Sequence, residues 1–313
     1  MCGHCGCGIS ANATIHDLQT GKQTMMEHRL ADPTRHGAHH HRHADGHGHS
    51  HDHGHHQEDD HLHADGMPLE HGPHHELISG HGGPHLSVVE LEARILAKND
   101  ALAMRNRAWF AGREILALNL VSSPGSGKTT LLERTIRDLK SELNLFVVEG
   151  DQATANDAER IRAAGAPVVQ VNTGAGCHLE ADMVARGVRE LRPGTGSIVM
   201  VENVGNLVCP AMFDLGEWAK IVILSVTEGE DKPLKYPHMF RAAKVMILNK
   251  IDLIPYVEFD MERADAYARE VNPDIVTLRL SALTGNGLSA WYEWLRQEIA
   301  AARSAAFDPR SVS

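Results

Sequence analysis

The sequence predicts a doubly wound α/β domain with a mostly parallel sheet across residues 112–303, on three observations. Short apolar runs recur at 117–122, 145–149, 168–171, 198–202, 221–226, 245–249 and 275–279, as expected of strands buried on both faces of a parallel sheet. Stretches of helical periodicity at 129–142, 157–164, 178–191, 262–270 and 288–301 lie between or after them, the alternation that places helices on both faces. Aromatic residues make up 4% of the chain, which suits a core of Val, Ile, Leu and Ala. In such a sheet, ligands collect at the C-terminal ends of the strands.

The remaining elements follow in chain order. Residues 1–8 read Met-Cys-Gly-His-Cys-Gly-Cys-Gly and form a zone of their own. Residues 9–86 are His-, Gly- and Asp-rich, and 18 of the chain's 23 histidines fall between His36 and His85. So few apolar side chains cannot offset the entropy of ordering, and disorder is expected from about residue 12 to 86 in the absence of metal. Over 87–108 the residues Val88, Leu91, Ile95, Leu102 and Trp109 recur close to helical spacing, and Ser87 with Glu90 forms a capping-box pattern. A helix is expected there, leading into a main domain that runs from 87 to 303, with 304–313 as a tail.

Charge and composition narrow the partners. The formal net charge is −11 and no dense Lys/Arg cluster is present, so nucleic acid is not an expected partner. No run of 18 apolar residues and no signal-peptide pattern at the N-terminus is found. The expected location is the cytoplasm, where five cysteines are read as ligands or core thiols before disulfides.

The segment Ser122-Ser-Pro-Gly-Ser-Gly-Lys-Thr129 lies between a strand and a helix and matches the Walker A pattern, with Ser122 at its first glycine position. A triphosphate needs backbone N–H groups aimed into a small concavity, and glycines permit that path. Gly125, Ser126, Gly127 and Thr130 belong to this cradle. Lys128 would reach the β- and γ-phosphates, and the Thr129 hydroxyl would bind Mg²⁺. Asn249-Lys250-Ile251-Asp252 follows the strand at 245–249 and begins 121 positions after Lys128 (249 − 128 = 121). A carboxylate at Asp252 can accept two N–H bonds from guanine, whereas adenine would leave it unpaired, and Lys250 would lie along the base. Ser281 and Ala282 match the loop that closes over guanine in GTPases. GTP is thus the expected nucleotide.

Glu202-Asn-Val-Gly205 ends the strand at 198–202 and resembles the Asp-x-x-Gly element of GTPases with Glu in place of Asp. Glu202 would hold Mg²⁺ through a water, and Gly205 would sense the γ-phosphate. Asp151 is either a second carboxylate near Mg²⁺ or a helix N-terminal acid. With no evident water-positioning Gln, slow intrinsic hydrolysis is expected.

Three features point to transition metals. Cys177 and His178, read as the start of a helix, and Cys209, just past Gly205, combine thiolate with imidazole near the γ-phosphate side, a donor set suited to Zn²⁺ or Ni²⁺. Three donors per chain are an incomplete set that two copies facing across a dimer would complete. Cys2, Cys5 and Cys7 place three thiols in six residues, with His4 or the α-amino group as a fourth donor, compatible with square-planar Ni²⁺. The His-rich tract offers several weak sites suited to nickel storage, and equally to zinc or copper.

Together, these motifs resemble the HypB family of hydrogenase nickel-incorporation GTPases, of the SIMIBI class that includes signal-recognition and MinD-type enzymes. The resemblance spans the domain from 87 to 303 and the N-terminal cysteines. It implies a GTPase that dimerises with GTP and helps deliver nickel to the nickel–iron hydrogenase large-subunit precursor, together with a HypA-type accessory protein. By motif match, Cys2, Cys5 and Cys7 would form the tight N-terminal nickel site. Cys177, His178 and Cys209 would form the G-domain site for nickel or zinc. Lys232 lies in a stretch typical of the family. The related urease GTPases carry Cys-Pro-His where this chain reads Cys209-Pro210-Ala211, which argues against a urease reading.

Overall fold

The computed structural model describes residues 13–25, 87–151, 156–174 and 176–306. In chain order the elements are β1 (Thr14–Asp17), β2 (Gln23–Met25), α1 (Val88–Ala111), β3 (Leu116–Ser122), α2 (Lys128–Leu139), β4 (Leu145–Asp151), α3 (Asn156–Ala164), β5 (Val168–Asn172), α4 (Ala181–Leu191), β6 (Ile198–Glu202), α5 (Cys209–Met212), β7 (Ala219–Ser225), α6 (Lys232–Lys235), α7 (Pro237–Ala242), β8 (Val245–Asn249), a 3₁₀ turn (Ile251–Tyr256), α8 (Met261–Val271), β9 (Val276–Arg279) and α9 (Leu288–Ala306).

Among the described residues the strands form one sheet in the order β2-β1-β5-β4-β6-β3-β7-β8-β9. From β5 to β9 every neighbouring pair is parallel. Period-two alternation sends successive side chains to opposite faces. In β3, Leu116, Leu118 and Leu120 pack with Leu131 and Ile136 of α2, Ile161 of α3 and Trp291 of α9. Ala117 joins a second cluster with Phe110 of α1 and Val184 of α4, and Val121 joins a third with Phe240 of α7 and Ala264 of α8. The P-loop helix is further anchored by Trp291 Nε1, which donates to Thr135 Oγ1 at 3.0 Å inside the core.

Three sequence expectations are corrected. First, residues 13–25, expected to be disordered, form an antiparallel hairpin whose first strand pairs antiparallel with β5, Thr14 opposite Asn172 and Asp17 opposite Val169. Ala13 and Ile15 are buried, and a turn at Gly21 (φ +70°) joins the strands, with Asp17 accepting hydrogen bonds from Gln19 and Thr20. The rest of the His-rich zone lies outside the described residues, as do Cys2, Cys5 and Cys7.

Second, α1 forms with its Ser87–Glu90 capping box, but the apolar recurrence in the sequence is not the face it buries. Val88 is 73% exposed, Leu91 49% and Trp109 37%. The buried face is Asn99, Ala103, Asn106 and Phe110. Asn99 donates to the Asp214 carbonyl and accepts from Ala181 N–H, while Asn106 donates to the Ala181 and Leu215 carbonyls. Buried amides that satisfy backbone groups dock this helix, and hydropathy does not register them.

Third, Cys177 and His178 do not start α4. The helix begins at Ala181 behind an extended Glu180, and the two ligand candidates sit in an irregular loop whose backbone bonds elsewhere. Among the described residues no helix is long and apolar enough to cross a membrane.

Candidate functional site

The site lies at the C-terminal ends of β3, β4, β6 and β8, where the chain leaves each strand. After β3, Gly125 (φ +75°) and Gly127 (φ +97°) take left-handed conformations that aim the turn into α2. A Cβ on Gly127 would lie 2.5 Å from Asn249 Nδ2, so both its conformation and its space demand glycine. Lys128 folds back over the loop and donates to Ser122 Oγ at 2.9 Å, so the serine at the first Walker glycine position serves as its resting acceptor. Burial lowers the Lys128 pKa, opposed by the nearby Glu202, Asp157 and Glu149. A phosphate would replace those partners.

Thr129 Oγ1 donates to Glu202 Oε1 at 2.7 Å, which joins the P-loop helix to the end of β6. Glu149 on β4 stands opposite Glu202 in the parallel register. Burial pushes Glu202 up to about 7 and Glu149 up to about 9, the neighbouring carboxylates adding to the latter shift. Oε2 of each is buried without a hydrogen-bond partner. Two orphaned carboxylate oxygens beside a threonine hydroxyl fit Mg²⁺, a hard cation that takes oxygen ligands. Glu149 was missed in the sequence because it reads there as the last residue of an apolar run. Only the register with β6 gives it this neighbour. Asp151 ends β4, its carbonyl accepting Thr173 N–H at 2.9 Å, close enough to Glu149 to raise its pKa.

These carboxylates make stability depend on pH in a stated direction. Each has a folded-state pKa above its ordinary value of 4.5, so the stability it contributes is complete below about 4.5. It falls as pH rises through about 7 for Glu202 and about 9 for Glu149. The metal-free protein is therefore expected to melt at lower temperature at pH 9 than at pH 6. Mg²⁺ with nucleotide, which favours the ionised carboxylates, is expected to remove most of that difference. Thermal denaturation at both pH values, with and without Mg²⁺ and GDP, measures it. An unchanged pH slope in Glu149→Gln would show that Glu149 is not the titrating group.

The base side is equally connected. Asn249, at the end of β8, donates to the Ser126 carbonyl at 2.8 Å and accepts Ala282 N–H at 3.1 Å, tying the P-loop to the Ser281–Ala282 loop. Lys250, at φ +63°, turns the chain and donates to the Gly125 carbonyl at 2.7 Å. Asp252 begins the 3₁₀ turn, and its buried Oδ1 has no partner. Thr130 Oγ1 accepts from Arg160 at 3.3 Å. Lys232 reaches Ser123 Oγ at 3.3 Å and pairs with Glu228.

The third part of the site is a group of three side chains that could hold a metal ion. The Sγ atoms of Cys177 and Cys209 are 3.1 Å apart as free thiols, and Cys177 Sγ is 3.8 Å from His178 Nδ1. One donor atom from each of the three lies within 4.8 Å of the others. The His178 ring packs against Phe213 at a 38° tilt with centroids 3.9 Å apart, and burial lowers its pKa to about 4. It is neutral at physiological pH, as a metal ligand must be, and its Nε2 is buried without a partner. Cys209 starts α5, which is held from below by buried Lys220 on β7. Lys220 Nζ donates to the carbonyls of Pro210 at 2.8 Å and Phe213 at 3.3 Å.

The metal and nucleotide clusters are joined by one stretch of chain. Residues 202–209 run from Glu202 at Thr129, past Gly205, to Cys209. A Cβ on Gly205 would meet Pro124 of the P-loop at 3.1 Å. The geometry thus brings together Lys128, Thr129, Glu202 and Gly205 at the ends of β3 and β6. Asn249, Lys250, Asp252, Ser281 and Ala282 gather at the end of β8, and Cys177, His178 and Cys209 beside the stretch 202–209.

Comparison with known proteins points to one family. A family model described as CobW/HypB/UreG, nucleotide-binding domain, matches residues 116–279. Hydrogenase maturation factor HypB of Escherichia coli K12 is 56% identical over 231 residues, 71% of this chain and 80% of that protein. The same factor from Rhizobium leguminosarum is 58% identical over 218 residues, 70% of this chain and 72% of that protein. Among solved structures, HypB from Helicobacter pylori in complex with nickel superposes with a TM-score of 0.61 at 36% identity, covering 65% of this chain and 95% of that one.

Proposed function

This chain belongs to the HypB family of hydrogenase maturation factors, and from that membership we propose that it is a GTP-hydrolysing nickel metallochaperone. Its task is to help insert nickel into the precursor of the nickel–iron hydrogenase large subunit, in the cytoplasm, alongside a HypA-type accessory protein. Two copies close on each other with GTP, and Cys177, His178 and Cys209 carry the ion, nickel or zinc, as cargo.

The observation that carries this reading is the stretch 202–209, bonded to Thr129 at one end and bearing a thiol 3.1 Å from Cys177 at the other. Lys128 binds the β- and γ-phosphates, and Asn249, Lys250 and Asp252 select guanine. Thr129 and Glu202 hold Mg²⁺, which neutralises charge on the phosphates. Loss of the γ-phosphate lets Gly205 move away from Pro124 and carries Cys209 with it. Metal affinity then differs between nucleotide states, and nucleotide affinity between metal states by the same factor.

The test is nickel affinity of the full-length chain with Cys2, Cys5 and Cys7 replaced by serine, bound to GDP and bound to a non-hydrolysable GTP analogue. A ratio of about 5–150 between the two states is expected, the usual range of such couplings. Equal affinities would end the gating mechanism. The His-rich tract serves as a nickel reserve, and deleting residues 35–85 is expected to impair hydrogenase maturation in low nickel only. Maturation unaffected by that deletion at low nickel would remove the storage role.

A further inference from the structure

The proposed gating requires a physical tie between the switch and the metal loop, and we propose that the side chain of Asn206 is that tie. The inference rests on the gated-metal reading above and names the residue through which it acts.

Cys177 and His178 sit in a loop without helical or strand hydrogen bonding, so their positions depend on what holds the loop's backbone. Two of its groups, one on either side of His178, are held by the segment that follows Glu202. Asn206 Nδ2 donates to the Cys177 carbonyl at 3.2 Å. Asn203 Oδ1 accepts Leu179 N–H at 3.1 Å, and the same oxygen accepts Val204 N–H at 3.0 Å. Asn203 is itself fixed at the strand end, its Nδ2 donating to Asn119 Oδ1 at 3.3 Å and its own N–H to the Leu120 carbonyl at 3.0 Å.

Asn206 differs from Asn203 in touching both metal-bearing arms. While Nδ2 holds the carbonyl of Cys177, Oδ1 accepts Val208 N–H at 2.8 Å, one residue before Cys209. A single planar amide thus spans the two thiols from behind. It follows Gly205 directly, the residue on which a Cβ would meet Pro124 of the P-loop at 3.1 Å. A shift of Gly205 away from the P-loop displaces Asn206. Asn206 then pulls on the Cys177 carbonyl while Asn203 holds Leu179 in place. The separation and angle of the two thiols change together, and metal affinity changes with them. Asn206 is a positioning residue. It acts through the backbone of Cys177 and Val208.

The experiment uses the full-length chain with Cys2, Cys5 and Cys7 replaced by serine, carrying in addition Asn206→Ala or Asn206→Ser, with Ni²⁺ as the probe. Ala removes both arms of the bridge. Ser keeps an acceptor for Val208 N–H two residues on, the local turn that serine supports, but cannot reach the Cys177 carbonyl. In each, nickel affinity is measured with GDP and with the non-hydrolysable GTP analogue, and thiolate-to-nickel absorption reports that the thiols still bind. The expected result is a wild-type ratio of about 5–150 between nucleotide states that falls to within about twofold of unity in both variants. The charge-transfer band is expected to remain. A Ser variant with the wild-type ratio would overturn the assignment of Asn206 while leaving gating intact. A wild-type ratio of one would overturn both.

Discussion

Asp252→Asn is expected to weaken GTP binding by about 10²–10⁴-fold and to let xanthosine triphosphate bind instead. Asp252 begins a 3₁₀ turn behind Lys250, whose positive φ reverses the chain out of β8, and its Oδ1 is buried with no partner. A guanine base supplies two N–H donors to one carboxylate. Hydrogen bonds to a charged group contribute about 1.5–3 kcal/mol each. Losing one of them, reducing the other to a neutral bond and setting donor against donor together cost about 3–6 kcal/mol, and each 1.4 kcal/mol is a factor of ten. An asparagine still accepts from N1–H but turns an N–H₂ toward the exocyclic amine of guanine. Xanthine has a carbonyl there, so the same amide bonds it well. Titration of the variant with both nucleotides reads the switch directly. GTP affinity within about threefold of wild type would show that Asp252 does not read the base.

The second large effect is expected at the metal cluster. Replacing Cys177 and Cys209 by alanine should lower nickel affinity of the G domain by at least about 100-fold, since loss of an outer-shell partner alone costs about 10–100-fold. GTP binding in the absence of nickel should be unchanged. The measurement needs a chain in which Cys2, Cys5 and Cys7 are serine, so that the absorption of thiolate-bound nickel comes from one site. The physical reason is the arrangement of donors. Two thiols lie 3.1 Å apart beside a His178 whose buried Nε2 has no partner, so soft sulfur and imidazole donors could hold one ion together. Nickel entry should accordingly release protons, and proton release should vanish in the double variant. Unaltered affinity would place the metal elsewhere in the chain.

Much of this was readable from residues alone. The strands from Leu116–Ser122 to Val245–Asn249 are short apolar runs, and a run buried on both faces leaves little else for it to be. The Walker loop and Asn249–Asp252 announce themselves because backbone path and base chemistry demand particular residue types. What sequence could not supply was register and side-chain reach. Glu149 becomes a neighbour of Glu202 only when β4 pairs with β6. The asparagines at 99, 106, 203 and 206 carry the docking of α1 and the bracing of the metal loop, yet a polar residue in a sequence looks like surface. The hairpin was hidden for a related reason. Its strands are four and three residues long, and their apolar content is too small to stand out beside a His-rich tract.

That hairpin has a consequence for how the protein is made. Thr14 pairs with Asn172, 158 residues later (172 − 14 = 158). At roughly 5–20 residues per second, a ribosome needs about 8–30 s to cover that distance. Throughout that time β1 lacks the strand edge beside which Ile15 is buried. A nascent chain that stalls before Val168 offers it none. Docking of the amino-terminal strand therefore marks the moment at which the β5 side of the sheet, with the loop of Cys177 and His178 just beyond it, has been synthesised.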